Sequence, residues 1–200
     1  MISQMLSALL QLSIFTLIPF GWYVICHKKC SGFFQWIGLK RPAVCDGALR
    51  QFVIFTIAVF LLVSIGILYS VKGVETAAST FLGIGIVALP SAFIYAFITT
   101  ALSEEILFRG FLLKRLSSKF GFNFGNVVQS ILFGLLHGAM FFSLIEIEKA
   151  VLISVFTGFI AWCMGYVNEK KAQGSILPSW IIHGIANLFS AIISMFSIIA

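Results

Sequence analysis

Six apolar runs, at about residues 3–26, 51–71, 80–102, 126–143, 149–167 and 178–199, leave this chain few ways to fold. Each is near the roughly 20 residues that a helix needs to cross the hydrocarbon of a bilayer, where every backbone N–H and C=O has to be satisfied within the protein. The runs lack the ten-residue alternation of a membrane barrel. The expected fold is therefore all-α, a polytopic membrane helix bundle of about six transmembrane helices. With 60% hydrophobic and 10% charged residues, and 22 Phe in 200 residues, too little polar surface remains to clothe a soluble core. A single membrane domain over residues 1–200 is expected, because no linker or low-complexity tract separates a second one.

Basic residues punctuate the runs. Lys28, Lys29, Lys40, Arg41 and Arg50 follow the first, Lys114, Arg115 and Lys119 the third, and Lys170 and Lys171 the fifth; the alternate loops keep Lys72 and Lys149. By the positive-inside rule the three richer loops face the cytoplasm and both termini face outward. The net charge of +6 and the pI near 9.3 thus report orientation in a lipid bilayer, and nucleic acid is not an expected partner. No Lys or Arg precedes residue 28, so the first run lacks the basic start of a cleavable signal peptide and reads as a retained span. Cys26, Cys30, Cys45 and Cys163 show no CxxC spacing and are expected as free thiols. Residues 27–50 interleave Phe33, Phe34, Trp36, Ile37 and Leu39 with basic residues, which suits a segment lying on the lipid headgroups. Pro90 is expected to kink the third span, and Gly134 and Gly138 form a small-xxx-small pair that lets another helix approach the fourth closely.

Against this background the octapeptide from Ser103 to Gly110 carries Glu104, Glu105 and Arg109. An ionised side chain at the centre of a bilayer costs about 2.5–3.5 kcal/mol even on insertion scales, so such residues pair, face a wet cavity or serve a function. Glu105 and Arg109 are four apart and share a helix face, which makes an ion pair. Glu104 points about 100° away around the helix and is left free to act as a base. His137 lies about 16 Å into the fourth span from its cytoplasmic start, and Glu104 about 15 Å from Lys114, at a rise of 1.5 Å per residue. His183 is a few residues inside the sixth span, with Asn187 one turn further on the same face. A lone buried histidine is usually a satisfied core residue; two of them beside an unpaired carboxylate at matching depth point to a site, in a cavity expected to open to the cytoplasm.

The spacing also weighs against other chemistries. No HExxH occurs, so the usual zinc-protease helix is absent, and no GxSxG singles out a serine nucleophile. Glu104, His137 and His183 would still make a three-ligand zinc set contributed by separate helices. No obvious carboxylate neighbours either histidine to orient it, and the amide of Asn187 is a better hydrogen-bond donor than zinc ligand. No cofactor is therefore expected, with zinc the alternative.

Glu104-Glu105-x-x-x-Arg109, then Phe133-x-x-x-His137, then His183-x-x-x-Asn187, in this order on successive helices, resemble the signature of the CPBP intramembrane proteases, also called the ABI or type II CAAX prenyl endopeptidase family. The resemblance covers about residues 80–190. It implies an intramembrane endopeptidase in which Glu104 with His137 activates a water, His183 and Asn187 stabilise the oxyanion, Glu105 and Arg109 form a structural pair, and Phe133 supports the second motif. It further implies a multi-pass protein of the bacterial cytoplasmic membrane, acting on a peptide or membrane-protein substrate in secreted-peptide or bacteriocin processing or in self-immunity. The competing class is non-catalytic: a membrane immunity protein that acts by binding, or an ion- or proton-coupled transporter. Transport predicts broken helices in matching halves, and Pro90 has no counterpart.

Overall fold

A computed structural model describes residues 2–26, 32–43 and 46–199; Lys28, Lys29, Cys30 and Cys45 lie outside the described residues. The described residues are all-helical, with no strand among them. Six helices are long and apolar enough to span a membrane: α1 (Ile2–Cys26), α3 (Gly47–Ser70), α4 (Gly85–Phe120), α5 (Phe122–Phe141), α6 (Ile147–Lys171) and α7 (Leu177–Met195). Between α1 and α3 lies a one-turn helix, α2 (Phe33–Trp36). The protein is a multi-pass membrane protein. Cys26 and Cys163 are free thiols.

Local chemistry sets the helix ends. The Asp46 carboxylate accepts from the Leu49 N–H at 2.8 Å and caps α3. Gly121 has φ of 86°, a left-handed conformation that costs a glycine little, and it separates α4 from α5. At 36 residues, α4 spans about 54 Å, well beyond a hydrocarbon core of about 30 Å, so its basic end at Lys114–Phe120 projects past the apolar layer.

Pro90, expected inside the third span, falls where the α-helical part of α4 begins. It sits in the first turn of the α-helical part of α4, where its missing N–H would have had no intrahelical partner. The irregularity lies further on, in two wider π-helical stretches, Ile94–Leu102 and Ile106–Leu113, which bracket the α-helical turn Ser103–Glu105.

α5 and α6 form the closest helix pair. A Cβ on Gly134 would strike the Ser154 carbonyl and the Gly158 backbone, and one on Gly138 would strike Ser154 and the Ala150 carbonyl. Backbones that approach so closely gain van der Waals contact that lipid cannot supply. Hydrogen bonds reinforce the seam, with Asn126 Nδ2 donating to the Trp162 carbonyl at 3.0 Å and Gln129 Nε2 to the Ala161 carbonyl at 3.1 Å. α1 and α3 bury 6% of their spanning windows, against 28–39% for the other four, and are peripheral.

In the segment after α1, Ile37 turns inward, is fully buried and packs with Ile106 and Ile176, while Phe34, Lys40 and Arg41 stay exposed. The Gly38 carbonyl accepts from the Ile176 N–H at 2.9 Å, and the Lys40 carbonyl from Ser175 Oγ at 2.5 Å. Gly38 has φ of 83°, and a Cβ there would strike the Gly174 carbonyl, so only glycine fits. Nearby, Lys114 Nζ donates to Glu169 at 2.5 Å and to the Gly174 carbonyl at 2.8 Å. Described parts of all three basic loops thus meet at one end of the bundle and close it.

Candidate active site

The turn between the two π-helical stretches aims Glu105 into the protein. Its Oε1 lies 3.0 Å from Arg109 Nη1, and both side chains are fully buried. The attraction is Coulombic rather than a hydrogen bond, because the guanidinium nitrogens have no hydrogen-bonded partner among the described residues. The face of Arg109 rests instead on the Phe133 ring, 4.3 Å from its centroid.

Glu105 has two further partners. His183 Nδ1 lies 3.1 Å from Oε1, and Ser179 Oγ meets Oε2. Ser179 in turn accepts from Asn168 Nδ2 at 2.7 Å, with both residues fully buried. A carboxylate paired with arginine can only accept, so the His183 proton sits on Nδ1 and Nε2 is presented elsewhere. That nitrogen faces Glu104, whose Oε2 is 3.7 Å away. Glu104 Oε2 is itself buried with no hydrogen-bond partner among the described residues. The two adjacent glutamates therefore address opposite edges of one imidazole. Sequence reasoning found no carboxylate to orient either histidine; Glu105 orients His183, from a position 78 residues away in the chain.

His137 is held by its own helix. Its Nδ1 lies 2.9 Å from the Phe133 carbonyl, which also can only accept, so Nδ1 carries the proton and Nε2 keeps its lone pair. The imidazole lies over the Phe133 ring, with centroids 4.3 Å apart, and the same ring meets His183 edge-on at 5.9 Å. Phe133 thus touches Arg109 and both histidines.

Asn187 Nδ2 donates to Thr100 Oγ1 at 2.7 Å, and Thr100 spends its own hydroxyl proton on the Tyr95 and Ala96 carbonyls at 3.0 and 3.1 Å. This chain of bonds fixes which end of the amide carries nitrogen and leaves its second N–H for another acceptor.

Glu104, His137, His183 and Asn187 line one cavity of about 470 Å³. Phe60, Ile67, Phe156 and Ile160 give it a largely apolar wall. From the polar groups it runs between α3, α6 and α7 to the 71–78 linker and Leu144, where Glu75, Ala77 and Leu144 are exposed. At the basic end of the bundle Ile37, Ile106 and Ile176 pack together in a buried cluster. Among the described residues no group of three or more His, Cys, Asp or Glu could hold a metal ion.

Thr100, Ser179 and Asn168 are the site residues that sequence reasoning missed. Two carried a readable signal: Thr100 precedes Glu104 by four and Ser179 precedes His183 by four, which puts each on the same helix face as a singled-out residue. Asn168 carried none, since only the meeting of α6 with α7 brings it to Ser179.

What this arrangement can do follows from its donors and acceptors. A carboxylate and an imidazole lone pair open onto the cavity beside an amide N–H, which is the equipment for activating a water and holding a developing oxyanion. No curated protein and no solved structure matches the chain significantly. Residues 86–189 match the family described as type II CAAX prenyl endopeptidase Rce1-like, a stretch just over half the chain that runs from the start of α4 into α7 and contains every residue of the cluster. The chain belongs to that family of intramembrane CAAX-type proteases.

Proposed function

We propose that the protein is an intramembrane endopeptidase of a bacterial cytoplasmic membrane, hydrolysing a peptide or membrane-protein bond without a metal. The observation that carries this reading is that Glu104, His137, His183 and Asn187 share one cavity wall, with each imidazole held at Nδ1. Glu104 takes a proton from a water that His137 Nε2 orients, and the resulting hydroxide attacks the scissile carbonyl carbon. The developing oxyanion accepts from the second N–H of Asn187 and from His183, which serves as a donor at Nε2 in its doubly protonated form. The C–N bond then breaks, and Glu104 returns its proton to the leaving amine. Glu105 and Arg109 act through His183 and do not touch substrate. Processing of a secreted peptide or bacteriocin, or self-immunity, is the physiological setting in keeping with this chemistry.

Purified protein in detergent, assayed against a library of internally quenched apolar peptides, tests the mechanism. Glu104→Ala and His137→Ala should each lower turnover by about 10²- to 10⁴-fold while the melting temperature holds. Turnover within a few fold of wild type in Glu104→Ala would exclude the role given to that carboxylate. The metal-free reading has its own check, in elemental analysis with exhaustive chelation and metal add-back. Activity should survive chelation; stoichiometric zinc, with activity lost on its removal and recovered on its return, would reassign Glu104, His137 and His183 as ligands.

A further inference from the structure

We infer that Gln11, on the first span, is a positioning residue of the site: its amide donates to the Glu104 carboxylate and holds it turned toward the reacting water. Its role there rests on the proteolytic reading of Glu104. The family match begins at residue 86, so Gln11 lies outside it.

The helix that carries Gln11 gives it no other employment. In α1, which is 25 residues long, it lies about 14 Å from the start at a rise of 1.5 Å per residue, near the middle of the hydrocarbon. An amide at that depth pairs across helices or faces a polar cavity. Its neighbours Leu9 and Leu10 are exposed, as suits a helix against lipid. Ser13 satisfies itself on the Leu9 carbonyl of its own helix at 2.7 Å. Gln11 makes no hydrogen bond among the described residues, so it is not glue between helices. Its side chain instead lines the cavity that holds Glu104.

Packing and depth join the two residues. α1 packs chiefly on α4, where it touches the Ser103–Glu105 turn as well as both π-helical stretches. Leu12, next in sequence, shares an apolar cluster with Leu102 and Ile106, which bracket that turn. Glu104 Oε2 is buried without a hydrogen bond among the described residues, and His183 Nε2, at 3.7 Å, is beyond hydrogen-bond reach. The other charged or titratable groups nearby are turned elsewhere: Arg109 to Glu105 and the Phe133 ring, His137 Nδ1 to the Phe133 carbonyl, and the Tyr95 ring to Phe81. An open amide and an open carboxylate thus stand at one depth on adjoining helices. Gln11 swings on three side-chain bonds, and a donor meeting a carboxylate away from water makes a stronger bond than it would in water. A carboxylate held in this way keeps its alignment with the water whose proton it takes.

Two measurements test the inference, one of them independent of turnover. In a background with all four native cysteines replaced by serine, Gln11→Cys combined with Glu104→Cys is treated with a short bis-methanethiosulfonate, and the bridge is read as one mass increment in the intact protein. Bridging is expected for this pair and not for Leu10→Cys with Glu104→Cys, because Leu10 points about 100° away around the helix. Bridging of neither pair, of both alike, or of the Leu10 pair alone overturns the inference. The second measurement is kinetic. Gln11→Met keeps the length of the side chain and removes the amide; kcat should fall about tenfold, the worth of a hydrogen bond to a charged group, with KM unchanged. The melting temperature should hold or rise, since a thioether suits hydrocarbon better than an amide. Leu10→Met should match wild type throughout. An unchanged kcat in Gln11→Met overturns the inference. So does a raised KM at unchanged kcat, which makes Gln11 a substrate contact, and so does a lowered melting temperature, which makes it a packing residue. A wild-type protein that cleaves none of the peptides removes the proteolytic reading, while bridging still decides whether Gln11 faces Glu104. An active wild type with Gln11→Met unaffected does the reverse.

Discussion

At the level of single side chains, the site depends on one fully buried carboxylate with three partners. Glu105 takes Arg109, His183 and Ser179, and this sharing leaves Glu104 as the glutamate without a hydrogen bond among the described residues. Removing one member of a buried ion pair strands the other, at a cost of about 3–5 kcal/mol. Arg109→Ala should accordingly lower the melting temperature and the yield of folded protein in detergent. Adding Glu105→Gln should recover much of that loss, because the neutral amide still accepts from His183 Nδ1 without leaving an unpaired charge. A fully stable yet inactive Arg109→Ala would instead give Arg109 a direct part in the chemistry. Much of this was open to sequence reasoning: four-residue spacing joins Glu105 to Arg109 and separates Glu104 from them. The hold on His183 was not, since Ser179 lies 74 residues from Glu105 and Asn168 reaches it only through Ser179.

At the level of helices, the α5–α6 seam positions His137 and its supporting ring. Gly134 meets backbone atoms of Ser154 and Gly158, which cannot turn aside as a flexible side chain would. Gly134→Ala should therefore cost about 1–3 kcal/mol, the usual penalty of overpacking. Gly66→Ala in α3 has open space around the new methyl and should be neutral or slightly stabilising in the same thermal melt. Equal melting temperatures for the two variants would mean that close backbone approach contributes nothing here. The Gly134/Gly138 spacing was legible because small residues four apart mark one helix face. The π-helical turns of α4 were not. Widening a turn depends on what the helix packs against, and here Trp180 Nε1 of α7 donates to the Phe97 carbonyl inside the first π-helical stretch at 2.6 Å.

At the level of the bundle, described parts of three loops remote in sequence converge on one end, where Gly38, Lys114, Glu169 and Gly174 touch. Ser118→Cys, in a cysteine-free background, should consequently react with an impermeant thiol reagent only in inside-out vesicles, and Lys72→Cys only in intact spheroplasts. Labelling of both from one side would contradict the alternation of six spans. That alternation, the all-helical fold and the basic ends were legible in the residues alone, because each follows from a local property: run length against bilayer thickness, and charge against the sidedness of insertion. What fills the basic end of the bundle was not. Loop charge and residue depth gave the polar cluster a place in the membrane, but they carry no information about which end is filled. That depended on Ile37, read from its neighbours as part of a surface segment, packing instead against Ile106 and Ile176 from two other parts of the chain. Hydrophobic period and charge are written along the sequence, whereas the closing of one end of a bundle is a matter of volume, settled only when side chains from distant segments compete for the same space.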